Sequence, residues 1–143
     1  QLKDLIKNKK IVFTNGCFDI IHRGHITLLK EAAEHGDVLI VGLNSDDSVK
    51  RLKGNNRPIN NIDSRINVLS AISYVDYIVV FEEDTPIDII KYLKPDYLVK
   101  GGDYVIENIV GTDYVESYGG NVCIIPLRED ISTTSIINKT KSF

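Results

Sequence analysis

The segment from residue 11 to residue 36, IVFTNGCFDIIHRGHITLLKEAAEHG, decides the fold of this 143-residue chain. It begins with the apolar run Ile11-Val12-Phe13, which predicts a buried strand. Apolar residues then recur at helical spacing, namely Leu28, Leu29, Ala32 and Ala33, and Gly36 is a typical helix stop. A buried strand that leads directly into an amphipathic helix is the first half of a βαβ unit.

The same alternation continues along the chain. Further strands are predicted at 38–43, 77–81, 97–99 and 121–126, and helices at 62–73, from Thr85 as N-cap with Pro86 in the first turn, and from near Ser132. Near-continuous apolar strands alternating with helices indicate a parallel sheet covered on both faces. We therefore predict one α/β domain over residues 1–143, a Rossmann-like, doubly wound, five-stranded parallel sheet of order 3-2-1-4-5.

The polar stretch from Asn44 to Asn61 interrupts this alternation. Gly54 and Pro58 break it, so we interpret it as a long, mobile loop whose start could be helical. It contributes most of a basic cluster, which consists of Lys50, Arg51, Lys53, Arg57 and Arg65. A charge run is usually a solvated face, but a cluster beside the ligand edge of the sheet would suit a phosphorylated substrate.

The predicted strand order places the ligand site before any motif is considered. The order reverses between strands one and four, and ligands of such sheets bind at the carboxyl ends of the strands there. The segments 14–19 and 100–104 should therefore face each other across the site.

Histidines follow the first of these segments as His22-Arg23-Gly24-His25. The two imidazoles are three residues apart at a helix start, where free N–H groups favour phosphate and imidazoles can stabilise developing charge. The structural alternative is that His22 caps the helix and His25 packs.

Two other motifs end the fourth and fifth strands. Lys100-Gly101-Gly102-Asp103-Tyr104 lets the backbone approach a ligand and offers a carboxylate, although a glycine-rich turn is the ordinary interpretation. Ser132-Thr133-Thr134-Ser135 supplies four hydroxyls, whereas a helix cap requires only one.

Bulk properties limit the function classes. The net charge of −3 argues against a nucleic-acid partner, and the apolar runs are too short for a membrane span. Cys17 and Cys123 are isolated, which argues against a zinc site or a disulfide framework. We expect a cytoplasmic protein.

The segments 15–19, 22–25 and 131–134 together resemble the cytidylyltransferase-like superfamily of nucleotidyltransferases, with its HxGH motif and C-terminal serine/threonine motif. Further segments, at 44–46, 50–54, 57–58, 81–86 and 98–104, are similar to the bacterial D-glycero-β-D-manno-heptose 1-phosphate adenylyltransferases. That resemblance implies transfer of AMP from ATP to a heptose 1-phosphate for lipopolysaccharide core. Glycerol-3-phosphate cytidylyltransferases share two of the motifs, but the residue before Tyr74-Val75-Asp76 is Ser73 rather than arginine, and a Gly-Gly-Asp-Tyr segment replaces a GDDW-like one.

The resemblance also implies roles for individual residues. Catalysis would involve His22, His25 and Lys53, and the substrate phosphate would contact Lys50 and Arg65. The nucleotide would contact Thr14, Asn15, Gly16, Cys17, Phe18, Gly24, Asp103, Ser132, Thr133 and Thr134. Mg²⁺ would be bound mainly by the nucleotide phosphates, and the partners would be ATP and a sugar 1-phosphate. The resemblance further implies a homo-oligomer, and a longer chain with a sugar kinase domain is compatible with it.

Two rival functions come from other classes. One is a nucleotide-binding module without turnover, against which the intact histidines and hydroxyls argue. The other is a fragment of a class I aminoacyl-tRNA synthetase, which the acidic balance and the short chain disfavour.

Overall fold

A computed structural model describes residues 1–102, 104–126 and 133–141. Its centre is a five-stranded, all-parallel sheet of order β3-β2-β1-β4-β5, which confirms the predicted topology. The strands are β1 (Ile11–Gly16), β2 (Val38–Asn44), β3 (Tyr77–Phe81), β4 (Tyr97–Gly101) and β5 (Asn121–Ile125). The helices are α1 (Leu2–Leu5), α2 (Arg23–Ala33), α3 (Asp46–Lys53), α4 (Ile62–Ser70), α5 (Ile87–Leu93), α6 (Thr112–Ser117) and α7 (Thr133–Lys141).

Helices pack on both faces of the sheet because alternate strand residues point to opposite sides. Phe13 and Ile40 face a core completed by residues of α5 and α6 such as Ile90 and Val115. Neighbouring strand residues face the other core, which α2 and α4 complete with Leu29, Ala32 and Leu69. In the described part of the chain, no helix combines the length and apolar character that a membrane span requires.

Aspartates at the amino ends of the strands set the strand register. Asp96 precedes β4 and accepts a hydrogen bond of 2.8 Å from the backbone N–H of Ile11 in neighbouring β1. Asp76 precedes β3 and accepts one of the same length from Leu39 in neighbouring β2. Each carboxylate thus pairs an amide that the parallel ladder leaves open at its start. The carboxyl ends of the strands then align at the opposite edge.

The stretch from residue 44 to residue 61 begins with helix α3, which agrees with the helical start considered for it and takes up nearly half of the predicted loop. Ser45 caps this helix by accepting from the N–H of Ser48 at 3.1 Å, and Val49 is buried. The first turn carries acidic residues and the last turn carries basic ones. This charge order favours the helix dipole, so much of the predicted basic cluster is the carboxyl-terminal turn of a helix.

Two smaller differences from the prediction concern the cap of one helix and the presence of three short helical segments. Helix α5 has Pro86 as its N-cap and no side-chain cap, so the prediction of Thr85 as the cap was wrong by one residue. The sequence reasoning also did not find α1, α6 and the 3₁₀ turn Ile106–Asn108, all of which are too short to show a helical period.

One buried guanidinium joins the elements at the carboxyl edge of the sheet. Arg65 of α4 is 1% exposed, and its Nε donates to the carbonyl of Asn60 at 3.1 Å. Its Nη1 donates to the carbonyls of Cys17 at 2.9 Å and Asn44 at 2.7 Å. Its Nη2 donates to Oδ1 of Asp46 at 2.7 Å. Arg65 therefore joins the ends of β1 and β2 to the start of α3 and to the loop before α4.

We expect Arg65→Met to lower the free energy of unfolding by roughly 3–5 kcal/mol, because it leaves buried carbonyls and a carboxylate without their donor. Urea unfolding followed by circular dichroism measures the change. The matched control is Arg51→Met, whose ion pair with Asp84 is about half exposed and screened by solvent, so this variant should lose much less stability. Equal losses in the two variants would contradict the structural role of Arg65.

Candidate active site

A cavity of about 690 Å³ opens at the carboxyl ends of the strands, where the strand order reverses between β1 and β4. Its position agrees with the site predicted from topology. Nine residues predicted to act in the site line it, namely Asn15, Gly16, Cys17, Phe18, His22, Gly24, His25, Lys53 and Thr134. Side chains from both the strand ends and the starts of α2 and α7 thus converge on one space.

The histidine pair begins α2 and forms a reciprocal cap. Nδ1 of His22, the N-cap residue, accepts from the N–H of Gly24 at 3.1 Å. Nδ1 of His25 accepts from the N–H of His22 at 3.1 Å. The two rings lie 4.0 Å apart, centroid to centroid. The structural and functional readings of this motif are therefore compatible, because capping occupies Nδ1 of each ring while both residues line the cavity.

The environment of His25 determines its protonation state. Burial, with a smaller contribution from the charge of His22, lowers the pKa of His25 to about 4. The ring is thus neutral at pH 7, and because Nδ1 is an acceptor, the proton is on Nε2. Phe18 packs 5.2 Å from the ring, centroid to centroid, and contributes to the apolar surroundings. The structure therefore presents a neutral N–H donor in the cavity.

Asp19 attaches the loop after α3 to the end of β1. Its carboxylate is 3% exposed and accepts from the N–H groups of Ile59 at 2.7 Å and Asn60 at 2.8 Å. It also accepts from Nε of Arg57 at 3.2 Å. Together these bonds make the loop a fixed wall of the cavity, with Arg57 on it.

Three of the residues predicted to contact ligands lie outside the cavity lining. Thr14 is fully buried within β1 and does not line the cavity, because the residues that follow it form the rim. Lys50 is exposed on α3 and lies outside the lining. Arg65 is enclosed by its carbonyl and carboxylate partners, and through them it organises the rim.

Three other residues predicted to contact the nucleotide are described only in part or not at all. Asp103 and Ser132 lie outside the described residues. Thr133 is the first residue of α7, but its side chain is not described.

Gly102 adopts a φ of 115°, in the region that favours glycine, which explains its place after β4.

Sequence reasoning missed Lys100 as a site residue and named Arg57 only within the basic cluster. Both line the cavity. Lys100 is the second-last residue of β4, so its place at the end of a predicted strand beside the switch point was the available signal.

The described residues of the lining do not form a site that would hold Mg²⁺ by protein ligands alone. The carboxylates of Asp19 and Asp84 line the cavity, but each is bonded to an arginine. Within residues 1–102, 104–126 and 133–141, no group of three or more His, Cys, Asp or Glu side chains could hold a metal ion. The described residues therefore do not fit a dedicated metal cage, and Mg²⁺ stays a prediction as an ion bound mainly by nucleotide phosphates.

Comparisons with known proteins agree with this geometry. Among curated relatives, the bifunctional protein HldE of Hyphomonas neptunium is 58% identical and that of Geobacter metallireducens 54% identical, each over 133 residues. Each match covers 93% of this chain but 27% of the relative, so the chain spans about a quarter of the length of these proteins.

Solved structures show the same fold. The lipopolysaccharide core biosynthesis protein from Thermoplasma volcanium superposes with a TM-score of 0.67 at 28% identity, covering 87% of this chain and all of that one. A pantoate-beta-alanine ligase from Francisella tularensis superposes with a TM-score of 0.62 at 19% identity, covering 97% of this chain and 72% of that one. The latter likeness concerns the fold alone.

A family model described as cytidylyltransferase-like matches residues 13–139, which include most of β1, the histidine pair and most of α7. The match spans nearly the whole sheet and all the residues that line the cavity. This chain therefore belongs to the cytidylyltransferase-like family of nucleotidyltransferases.

Proposed function

We propose that this chain transfers AMP from ATP to D-glycero-β-D-manno-heptose 1-phosphate, giving ADP-heptose and pyrophosphate for lipopolysaccharide core. The observation that carries the proposal is the 58% identity to a bifunctional HldE protein over 93% of the chain. The 28% identity to the lipopolysaccharide core biosynthesis protein from Thermoplasma volcanium supports the same pathway.

The cavity suits a reaction that needs no general base. A phosphomonoester is largely dianionic at neutral pH because its second pKa is about 6. A phosphate oxygen of the acceptor can therefore attack the α-phosphorus of ATP directly, and the bond from that phosphorus to pyrophosphate breaks. Catalysis then consists of positioning and charge stabilisation, for which the cavity supplies imidazoles, cations and a helix start.

His25 is suited to stabilise the transition state. Its ring is neutral, its Nδ1 is held by the backbone of His22, and its Nε2–H is a donor held in a fixed direction. A preorganised donor of this kind stabilises charge that develops on phosphoryl oxygens without reorganising during the reaction. His22 supports it through the reciprocal cap at the same helix start.

A glycerol-3-phosphate cytidylyltransferase is the second candidate, since the family model is described as cytidylyltransferase-like. The same histidine pair would serve both reactions, so the cavity chemistry does not separate them. The high identity to HldE proteins favours the adenylyl reaction. The sugar kinase partner domain, the homo-oligomer, the Mg²⁺ requirement and the cytoplasmic location remain predictions.

The first test is pyrophosphate release with each of ATP, CTP, GTP and UTP, using heptose 1-phosphate or glycerol 3-phosphate as acceptor with Mg²⁺ present. We expect turnover with ATP and the heptose phosphate. Turnover with CTP and glycerol phosphate would replace the substrates but keep the mechanism. Nucleotide binding without turnover by any pair would favour a binding module.

Two variants separate the capping and donor roles of His25. His25→Asn keeps an acceptor near the position of Nδ1 but removes the Nε2 donor, so it should keep the melting temperature and lower kcat about 100- to 1000-fold. His25→Ala removes both groups and should also lose about 1 kcal/mol of stability with the cap. Steady-state kinetics and thermal melts measure the two effects. A kcat near wild type in His25→Asn would exclude the donor role.

The neutral state of His25 also predicts how stability depends on pH. The pKa of His25 is about 4 in the folded chain and 6.5 for the free group. Below pH 6.5 the unfolded chain therefore binds a proton on His25 that the folded chain does not bind. Above pH 6.5 His25 is neutral in both states and does not make the stability depend on pH. As the pH decreases from 6.5 towards 4, the free energy of unfolding falls by up to about 1.4 kcal/mol per pH unit. Urea unfolding of wild type and His25→Asn from about pH 7 to about pH 5 should show a steeper loss in wild type. Parallel pH curves would contradict the lowered pKa.

A further inference from the structure

Three cationic side chains line the cavity from three different elements. Lys53 is the last residue of α3, Arg57 lies in the loop that follows, and Lys100 is in β4. Because β1 separates β2 from β4, Lys53 and Lys100 approach the end of β1 from opposite sides. Cys17 lies just after the end of β1, and the positive charges of Lys53 and Arg57 are near enough to influence the pKa of its thiol.

Only one of these cations has a carboxylate partner in the described part of the chain. The side chain of Arg57 is 11% exposed and is bonded through Nε to Asp19. The Asp19 carboxylate also accepts hydrogen bonds from two backbone N–H groups. It is therefore already occupied and does not neutralise the charge of Lys53 or Lys100. Neither lysine forms an ion pair with a described residue.

Lys100 is held in an environment that disfavours its charge. Burial lowers its pKa, Lys53 lowers it further, and Cys17 acts in the opposite direction. Two ammonium groups that repel each other across a partly buried cavity cost free energy unless an anion binds between them. This arrangement favours a ligand with more than one negative charge.

The cavity lining also differs between its two sides. The side of β2 and β3 carries Asn44, Asp84 and Thr85, which can hydrogen-bond to hydroxyl groups. The side of β4 and β5 carries apolar surface from Tyr104, Ile109, Val110, Ile125 and Pro126. A polyhydroxylated acceptor suits the first side, and the flat face of a nucleobase suits the second.

We propose that Lys53, Arg57 and Lys100 form the binding site for the phosphate of the acceptor, held as a dianion at the boundary between the polar and apolar sides. Lys100 and Arg57 thereby take the role that the sequence suggested for Lys50 and Arg65. This inference rests on the proposed function for the identity of the acceptor, whereas the anion site itself can be tested separately.

The experiment compares Lys100→Met and Lys53→Met with Lys50→Met, a control on the same helix as Lys53 that lies outside the cavity lining. Isothermal titration of inorganic phosphate is run with a saturating non-hydrolysable ATP analogue, so that the triphosphate positions are occupied. We expect phosphate affinity to fall about tenfold or more in the two cavity variants, since each of them removes a charge-assisted hydrogen bond to the anion. Lys50→Met should bind like wild type.

Kinetics with ATP and heptose 1-phosphate form the second arm. The KM for the heptose phosphate should rise about tenfold or more in Lys100→Met, while the KM for ATP changes less than about twofold. Lys100→Arg should restore most of the affinity because it keeps the charge. If Lys100→Met fails to fold, the Lys53→Met and Lys100→Arg variants decide the question.

Three outcomes would overturn the proposal: wild type that does not bind phosphate at millimolar concentration, cavity variants that bind it like wild type, or a KM that rises for ATP alone. The last outcome would assign the cations to the triphosphate. If wild type binds phosphate with the expected variant pattern but shows no turnover with ATP and heptose phosphate, the anion site stands and the proposed acceptor fails.

Discussion

The buried guanidinium of Arg65 is the interaction on which the carboxyl edge of the sheet depends. Strand ends leave carbonyls without partners, and burying them is costly unless a donor reaches them. Arg65 satisfies the carbonyls of Cys17, Asn44 and Asn60 and pairs with Asp46. It thereby joins β1, β2, α3 and the following loop into one rim, on which the cavity is built.

The helix start beside this rim uses the same bonds for folding and for chemistry. A capping box normally relies on Ser or Thr with Glu, but here two imidazoles exchange bonds with the backbone through their Nδ1 atoms. The cap determines which nitrogen carries the proton, and burial keeps His25 neutral. Stability and the proposed donor function therefore depend on one geometry.

The charges around the cavity have two distinct roles. Arg65 and Asp19 are enclosed and bonded within the protein, and they shape the rim and its loop. Lys53 and Lys100 reach the cavity without a carboxylate partner among the described residues, which suits binding of an anion. Burial and partner count separate structural cations from ligand-binding ones, although both kinds look alike along the chain.

The sequence by itself determined the strand–helix alternation, the order of the sheet and the edge at which the site lies, because apolar periodicity and the topology of parallel sheets are local and general rules. It also indicated the histidine pair, whose spacing places both rings at one helix start. Only the tertiary structure decided which basic residues face the cavity. Lys50 and Lys53 are three residues apart on α3, yet only Lys53 lines the cavity, and Arg65 turns inward to carbonyls far away in sequence. Those outcomes depend on how α3 and α4 pack against the strand ends, which no local pattern encodes.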